Sequence, residues 1–256
     1  MSRPQEPKTI LITGATGGVG SSLAEQYATS GKTLILFGRD AKRLERLAER
    51  CRSLGARVVT RVSDLRDRER FMAQLQAVCE QEHPELVIAN AGVSSTADND
   101  GERWDAIEEV IEVNVLGTLA TVQAVLPFMR RKGNGQIALI SSLAAWYGLA
   151  VTPSYSASKA AIKNYAEALR CRVEPEGIDV NLVMPGFIVS RMSESVPGPK
   201  PFILSADQAA LVIRRGLAAN RPRISFPFPL AIGCWLLALL PPVISGRFLR
   251  LFSFHG

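Results

Sequence analysis

Short apolar runs alternate with longer amphipathic segments along most of the chain. Runs of strand length stand at 9–13 (TILIT), 33–38 (TLILFG), 57–62 (RVVTRV), 85–90 (ELVIAN), 136–141 (QIALIS), 179–184 (DVNLVM) and 223–226 (RISF). Segments of helical period separate them, at 19–30, 41–53, 67–82, 102–131, 154–173 and 206–219. Strands that read apolar throughout, instead of alternating, belong to a parallel sheet covered by helices on both faces. The pattern predicts an α/β fold built on a doubly wound, Rossmann-type parallel sheet of about seven strands. No linker or internal repeat interrupts the series, so residues 1–226 read as one domain. A chain of 256 residues is long enough for one such core.

The last thirty residues, PFPLAIGCWLLALLPPVISGRFLRLFSFHG (227–256), break the alternation and read as an apolar helical appendage. Charge sharpens the contrast. Residues 1–200 hold 24 Lys and Arg against 23 Asp and Glu, whereas residues 201–256 hold six arginines against Asp207 alone. Nucleic acid is one partner for a basic patch, but a tail this apolar and without lysine suits an anionic membrane surface better, and no nucleic-acid partner is expected. Prolines at 227, 229, 241 and 242 leave Leu230–Leu240 as uninterrupted helix. Those eleven residues reach about 16 Å, roughly half a hydrocarbon core. Two short helices flanked by arginines at 221, 223, 247 and 250 predict monotopic attachment through 227–256; a dimer contact or a lid over the substrate cleft is the alternative. Either way, apolar surface lies near the site, so the expected substrate is lipophilic. The expected assembly is a homodimer or larger homo-oligomer.

Apolar residues make up 47% and charged residues 21% of the chain, without low-complexity tracts, which excludes disorder as the organising principle. Cys51, Cys79, Cys171 and Cys234 are far apart and form no C-x-x-C pair, so neither a zinc site nor a disulfide framework is expected. The N-terminus lacks the apolar core of a signal peptide. The expected setting is the cytoplasm, with attachment to the cytoplasmic face of a membrane through the tail.

Candidate chemistry begins where the first strand runs into TGATGGVG, with Gly14, Gly18 and Gly20. A glycine turn between a first strand and a first helix lets backbone N–H groups approach a pyrophosphate. After the second strand comes FGRD. The guanidinium of Arg39 suits a 2′-phosphate, favouring NADP(H) over NAD(H); Asp40 is either a ribose partner or the N-cap of the next helix. Further on, Tyr155 and Lys159 stand four apart in SYSASKAAIKNYAEALR, on one helix face. An ammonium there stabilises phenolate and brings a phenol toward the range useful for acid–base work. Tyr–Lys pairs at this spacing are also ordinary surface contacts, so the surrounding residues matter. Ser142 follows a strand at its carboxyl end, positioned to bond a substrate carbonyl or to cap a turn. Asn114 interrupts the apolar run VIEVNVLGTLATV, where a buried amide needs partners.

These motifs together resemble the short-chain dehydrogenase/reductase (SDR) family across residues 8–226: TGATGGVG, Asp64 in SDL, ANAG at 89–92, Asn114, SS at 141 and 142, YSASK at 155–159 and PGFIVS at 185–190. The resemblance implies a ketone–alcohol oxidoreductase. Tyr155 would be general acid/base, Lys159 would lower its pKa and hold the nicotinamide ribose, Ser142 would orient the carbonyl, and Asn114 would hold a water. Gly14, Thr16, Gly18, Val19 and Gly20 would form the cofactor turn, with Arg39 beside it. Asp64 and Asn90 would line the adenosine side, and Leu65, Ala91 and Gly92 belong to the same two cofactor motifs. After the Pro185–Gly186 turn, Ile188 and Ser190 would meet the nicotinamide carboxamide. The segment RMSESVPGPKPFILS (191–205) would be a mobile cover. Two positions depart from the family pattern: Gly17, where many NADP-using members carry a basic residue, and Ala89, where an Asn is common.

Overall fold

The computed structural model describes residues 6–98, 100–241, 243–245 and 247. Seven strands form its sheet: β1 (Thr9–Thr13), β2 (Thr33–Gly38), β3 (Arg57–Val62), β4 (Leu86–Ala89), β5 (Gly135–Ile140), β6 (Ile178–Pro185) and β7 (Arg223–Phe226). Every neighbouring pair is parallel, in the order β3-β2-β1-β4-β5-β6-β7. Strand order runs outward in opposite directions from the β1/β4 pair, so a crevice opens there at the carboxyl ends of the strands.

Side chains alternate across each strand, and both sets are apolar because both faces are covered. Leu11, Ile35, Phe37, Val87, Ile137 and Leu139 join one buried layer with α3 (Arg68–Glu82), α5 (Gly117–Lys132) and α6 (Pro153–Val173). Ile10, Ile12, Leu34, Leu36, Ile88 and Ala138 join the other, under α1 (Gly18–Tyr27), α2 (Ala41–Ser53) and α8 (Ala206–Ala218). Each fully buried Leu or Ile contributes about 1.5–3 kcal/mol, which holds the inner strands in place, whereas edge strand β3 is only partly buried.

Local chemistry sets the helix ends. Asp40 caps α2 by accepting from the Arg43 N–H at 3.0 Å, and Ser205 and Gln208 bond reciprocally at the start of α8. Helix α5 stops at Gly133, whose φ of 65° is left-handed. The stretch expected as one helix over 102–131 is divided: α4 (Trp104–Val110) passes into a wider π-type turn (Ile111–Leu116) before α5 resumes. That turn carries Asn114. Although Trp104–Lys132 is long and apolar enough to cross a bilayer, most of it is buried in the protein, as a core helix is.

A single turn, α7 (Arg191–Glu194), lies in the segment expected as a cover. Beyond β7 the chain forms α9 (Phe228–Leu239). It begins two residues before the expected start because Pro229 falls in the first turn, where its missing N–H breaks no helical bond. The flanking Arg250 lies outside the described residues.

Candidate active site

Gly14 follows β1 with φ of 62°, and a Cβ placed on it would lie 2.6 Å from the Ala91 Cα. The backbones after β1 and β4 therefore touch, and only glycine permits the contact. Gly20 is equally confined, its notional Cβ falling 2.4 Å from the Gly14 carbonyl oxygen. Asn90 fastens this junction: its Nδ2 donates to the carbonyls of Gly14 at 3.0 Å and Thr13 at 3.2 Å, and its N–H donates to the Thr13 hydroxyl. At the N-terminus of α1, Gly17 offers no side-chain cap. The first N–H groups of a helix lack intrahelical acceptors and favour an anion. A pyrophosphate fits that cradle.

The same edge carries the acid–base candidates. Helix α6 starts at Pro153 and presents Tyr155 and Lys159 on one face, with the Lys159 Nζ 5.5 Å from the Tyr155 ring centre. The Tyr155 hydroxyl faces the Ser142 side chain, which favours its phenolate form. Ser142 follows β5, accepts from the Ala144 N–H at 3.1 Å and reaches the Pro185 carbonyl at 3.4 Å. The cap reading of Ser142 is observed: it caps the turn Leu143–Ala145, and its hydroxyl also faces the phenol. Lys159 is buried and donates to the Ile140 carbonyl at 3.0 Å.

Asn114 is wholly buried, and its partners are found. Its Nδ2 donates to the Val93 carbonyl and the Ser158 hydroxyl, both at 2.9 Å, and its Oδ1 accepts from the Val93 N–H at 2.8 Å. Gly92 leaves room between groups: a Cβ there would lie 3.3 Å from the Asn114 Oδ1 and 3.4 Å from the Lys159 Nζ.

Burial shifts both groups of the pair. It raises the Tyr155 phenol above its ordinary pKa, while the Ser142 hydrogen bond pulls the other way more weakly. Burial also lowers the Lys159 amine to about 8. Loss of water around the phenolate is the larger of the two effects on Tyr155.

At the far end of the crevice, Arg39 pairs with Glu109 at 3.2 Å, and the Arg66 Nη1 lies 3.9 Å from the same carboxylate. Asp64 is gripped by Arg66, whose hydrogen bonds hold its carboxyl below the usual range. Asp40 serves as the helix cap. Leu65 is buried in the core layer beside Gly117, where a Cβ would come within 2.7 Å of its Cδ2, so its backbone is what it offers the crevice. The Thr16 carbonyl accepts from Arg43 at 2.8 Å, and Val19 packs its side chain on the adjoining core.

Past β6, the Gly186 N–H donates to the Phe226 carbonyl at 2.7 Å. Ile188 is buried and bridges to Leu204. Ser190 spends its hydroxyl capping α7, although its Cβ stays near the glycine turn, 3.7 Å from a notional Cβ on Gly18.

Comparison with known proteins decides what this arrangement is. The family model for short chain dehydrogenase matches residues 8–200. The chain belongs to the short-chain dehydrogenase/reductase family. An oxidoreductase from Myxococcus xanthus, described as uncharacterized, is 32% identical over 91% of this chain and 93% of its own length. An Arabidopsis thaliana protein named 11-beta-hydroxysteroid dehydrogenase-like 4A is 28% identical over 94% of this chain and 83% of its own. Among solved structures, a short-chain dehydrogenase from Sphingobium yanoikuyae in complex with NADPH superposes with a TM-score of 0.77 at 25% identity, covering 96% of this chain and 95% of that one.

This SDR is therefore an NAD(P)-dependent oxidoreductase with a Rossmann sheet. Residues to which the motif reading gave no individual role support the site. Ser141 donates to the Lys159 carbonyl at 2.6 Å, fastening α6 to β5. Ser158 donates to the Tyr155 carbonyl at 2.7 Å while accepting from Asn114. Glu102 accepts from the Ser154 N–H at 2.8 Å and its hydroxyl at 2.6 Å, supplying the N-terminal cap that Thr152 does not. Alternating serines at 154, 156 and 158 around the tyrosine were the available signal; Glu102, 52 residues away from its partner, had none.

Proposed function

We propose that this SDR reduces a ketone on a lipophilic molecule to a secondary alcohol, using NADPH in preference to NADH. The observation that carries the reading is the Tyr155 hydroxyl, facing Ser142 and flanked by buried Lys159, at the edge where the glycine turn opens.

Residues of the glycine turn and the N-terminus of α1 bind the pyrophosphate, and Arg39 meets the 2′-phosphate. The bound nicotinamide supplies the hydride. Ser142 orients the carbonyl oxygen toward Tyr155 by hydrogen bonding. The raised pKa of Tyr155 keeps its proton in place at neutral pH, so the phenol donates to the developing alkoxide. Lys159 holds the ribose and, being mostly protonated at neutral pH with a pKa of about 8, stabilises the phenolate left behind. Asn114 keeps the loop after β4 at its distance from Lys159 by gripping Val93 at both backbone polar atoms.

Two features favour a lipophilic substrate. Leu230 of α9 packs so tightly over Gly186 that a Cβ there would come within 2.8 Å of it, and Leu143, next to Ser142, lines the same spot. The steroid-dehydrogenase-like name of the Arabidopsis relative points the same way.

The test supplies NADPH deuterated at the nicotinamide C4 to the protein with acyl, sphingoid and steroid ketones in detergent. The expected product carries deuterium on the carbinol carbon, and NADH supports a slower reaction. NADPH binding without reduction of any ketone in the panel would overturn the reading in favour of a nucleotide-sensing role.

A further inference from the structure

The outer side of α9 has no partner within the described chain. Leu230, Ala231 and Cys234 turn inward against the core. Phe228, Trp235, Leu236 and Leu239 form the opposite stripe, each 45% or more exposed, and Val243 and Ile244 continue it at 69% and 52%. A surface of that kind exceeds the isolated apolar residues normal on soluble proteins.

Charge identifies what covers it. No Asp or Glu occurs after Asp207, and no lysine after Lys200, yet six arginines do. Arg214 and Arg223 are paired with Glu6 and Glu167. Arg221 and Arg247, which bracket the uncharged stretch from Ile224 to Ser245, have no salt bridge among the described residues. A second copy meeting the stripe about a two-fold axis would set two tails with six arginines and no carboxylate after Asp207 against each other. An anionic lipid surface complements both the stripe and this excess of arginine.

Length selects the mode of contact. Twelve residues of α9 extend about 18 Å, against a hydrocarbon core of about 30 Å. The helix is thus too short to span, and its inner side is occupied by the protein.

We propose that α9 and the helical residues 243–245 dock the enzyme onto one leaflet of an anionic bilayer, with the Phe228–Leu239 stripe in the acyl boundary and Arg247, two residues further on, at the headgroups. Cytoplasmic leaflets carry such lipids. Because Leu230 of the same helix packs over Gly186 beside Leu143, docking also sets the substrate side of the site next to the lipid phase; this last consequence rests on the proposed function, the docking itself does not.

The experiment is co-sedimentation of the full chain with vesicles of phosphatidylcholine alone and of equimolar phosphatidylcholine and phosphatidylglycerol, with NADPH binding measured alongside as a check on folding. Binding is expected on the mixed vesicles, weakened by salt, and reduced by about tenfold or more in a Leu236→Asp, Leu239→Asp variant. Should that variant fold poorly, Arg247→Glu keeps the apolar stripe intact and is expected to reduce the preference for phosphatidylglycerol. Protein that stays in the supernatant with both vesicles overturns the proposal. So does a shift from dimer to monomer in the aspartate variant without any vesicle binding, which would assign the stripe to a second copy. NADPH turnover enters neither readout, so failure here and failure of the proposed reaction are told apart.

Discussion

Burial leaves the Lys159 amine with a pKa of about 8 against 10.5 for a free lysine, and this has a sign that stability measurements read. The unfolded chain holds that proton more tightly, so folding is penalised wherever both states are protonated, below about pH 8. The penalty fades as pH rises from there through 10.5. Lys159→Met should therefore stabilise the protein near neutral pH by roughly 1–3 kcal/mol, after allowing for the lost bond to the Ile140 carbonyl. Urea titrations of both proteins across that range should show the gain disappearing on the alkaline side; a pH-independent difference would contradict the account. A second residue acts at the other end of the crevice. Glu109 neutralises Arg39 where the proposed 2′-phosphate binds, and this exposed pair is weak. Glu109→Gln is expected to tighten NADPH by roughly two- to fivefold and leave NADH unchanged in fluorescence titrations.

Helix α6 carries both Tyr155 and Lys159, so its N-terminal turn matters more than its length. Glu102 provides that cap from outside the helix. Glu102→Ala should cost about 1 kcal/mol of stability, with faster amide exchange confined to the first turn of α6; uniform exchange would deny the local role. The elements themselves were largely legible. Strand β2 and helix α2 fall where the pattern put them because apolar runs, Gly38 and the Asp40 cap coincide. The wider turn at Ile111–Leu116 was not legible, since the apolar pattern runs through it unbroken and only the tertiary partners of Asn114 mark it. Ser142 and Tyr155 were readable from position along the chain. The upward push of burial on the Tyr155 phenol was not, because burial is a property of the packed molecule.

At the scale of the whole molecule, strand order does most to create the site. It brings the turn after β1, the loops after β4 and β5, and the start of α6 to one edge, although residues as far apart as Gly14 and Tyr155 contribute. The tail adds an apolar wall to that edge through Leu230. The account depends on Tyr155 being the proton donor of a hydride-transfer enzyme. Its most direct test is the single-turnover rate of NADPH oxidation by a lipophilic ketone at neutral pH, measured for the wild type and Tyr155→Phe with NADPH affinity determined for both. The account predicts a loss of about 10²–10⁴-fold in rate at unchanged affinity; a Tyr155→Phe rate within about threefold of the wild type would contradict it.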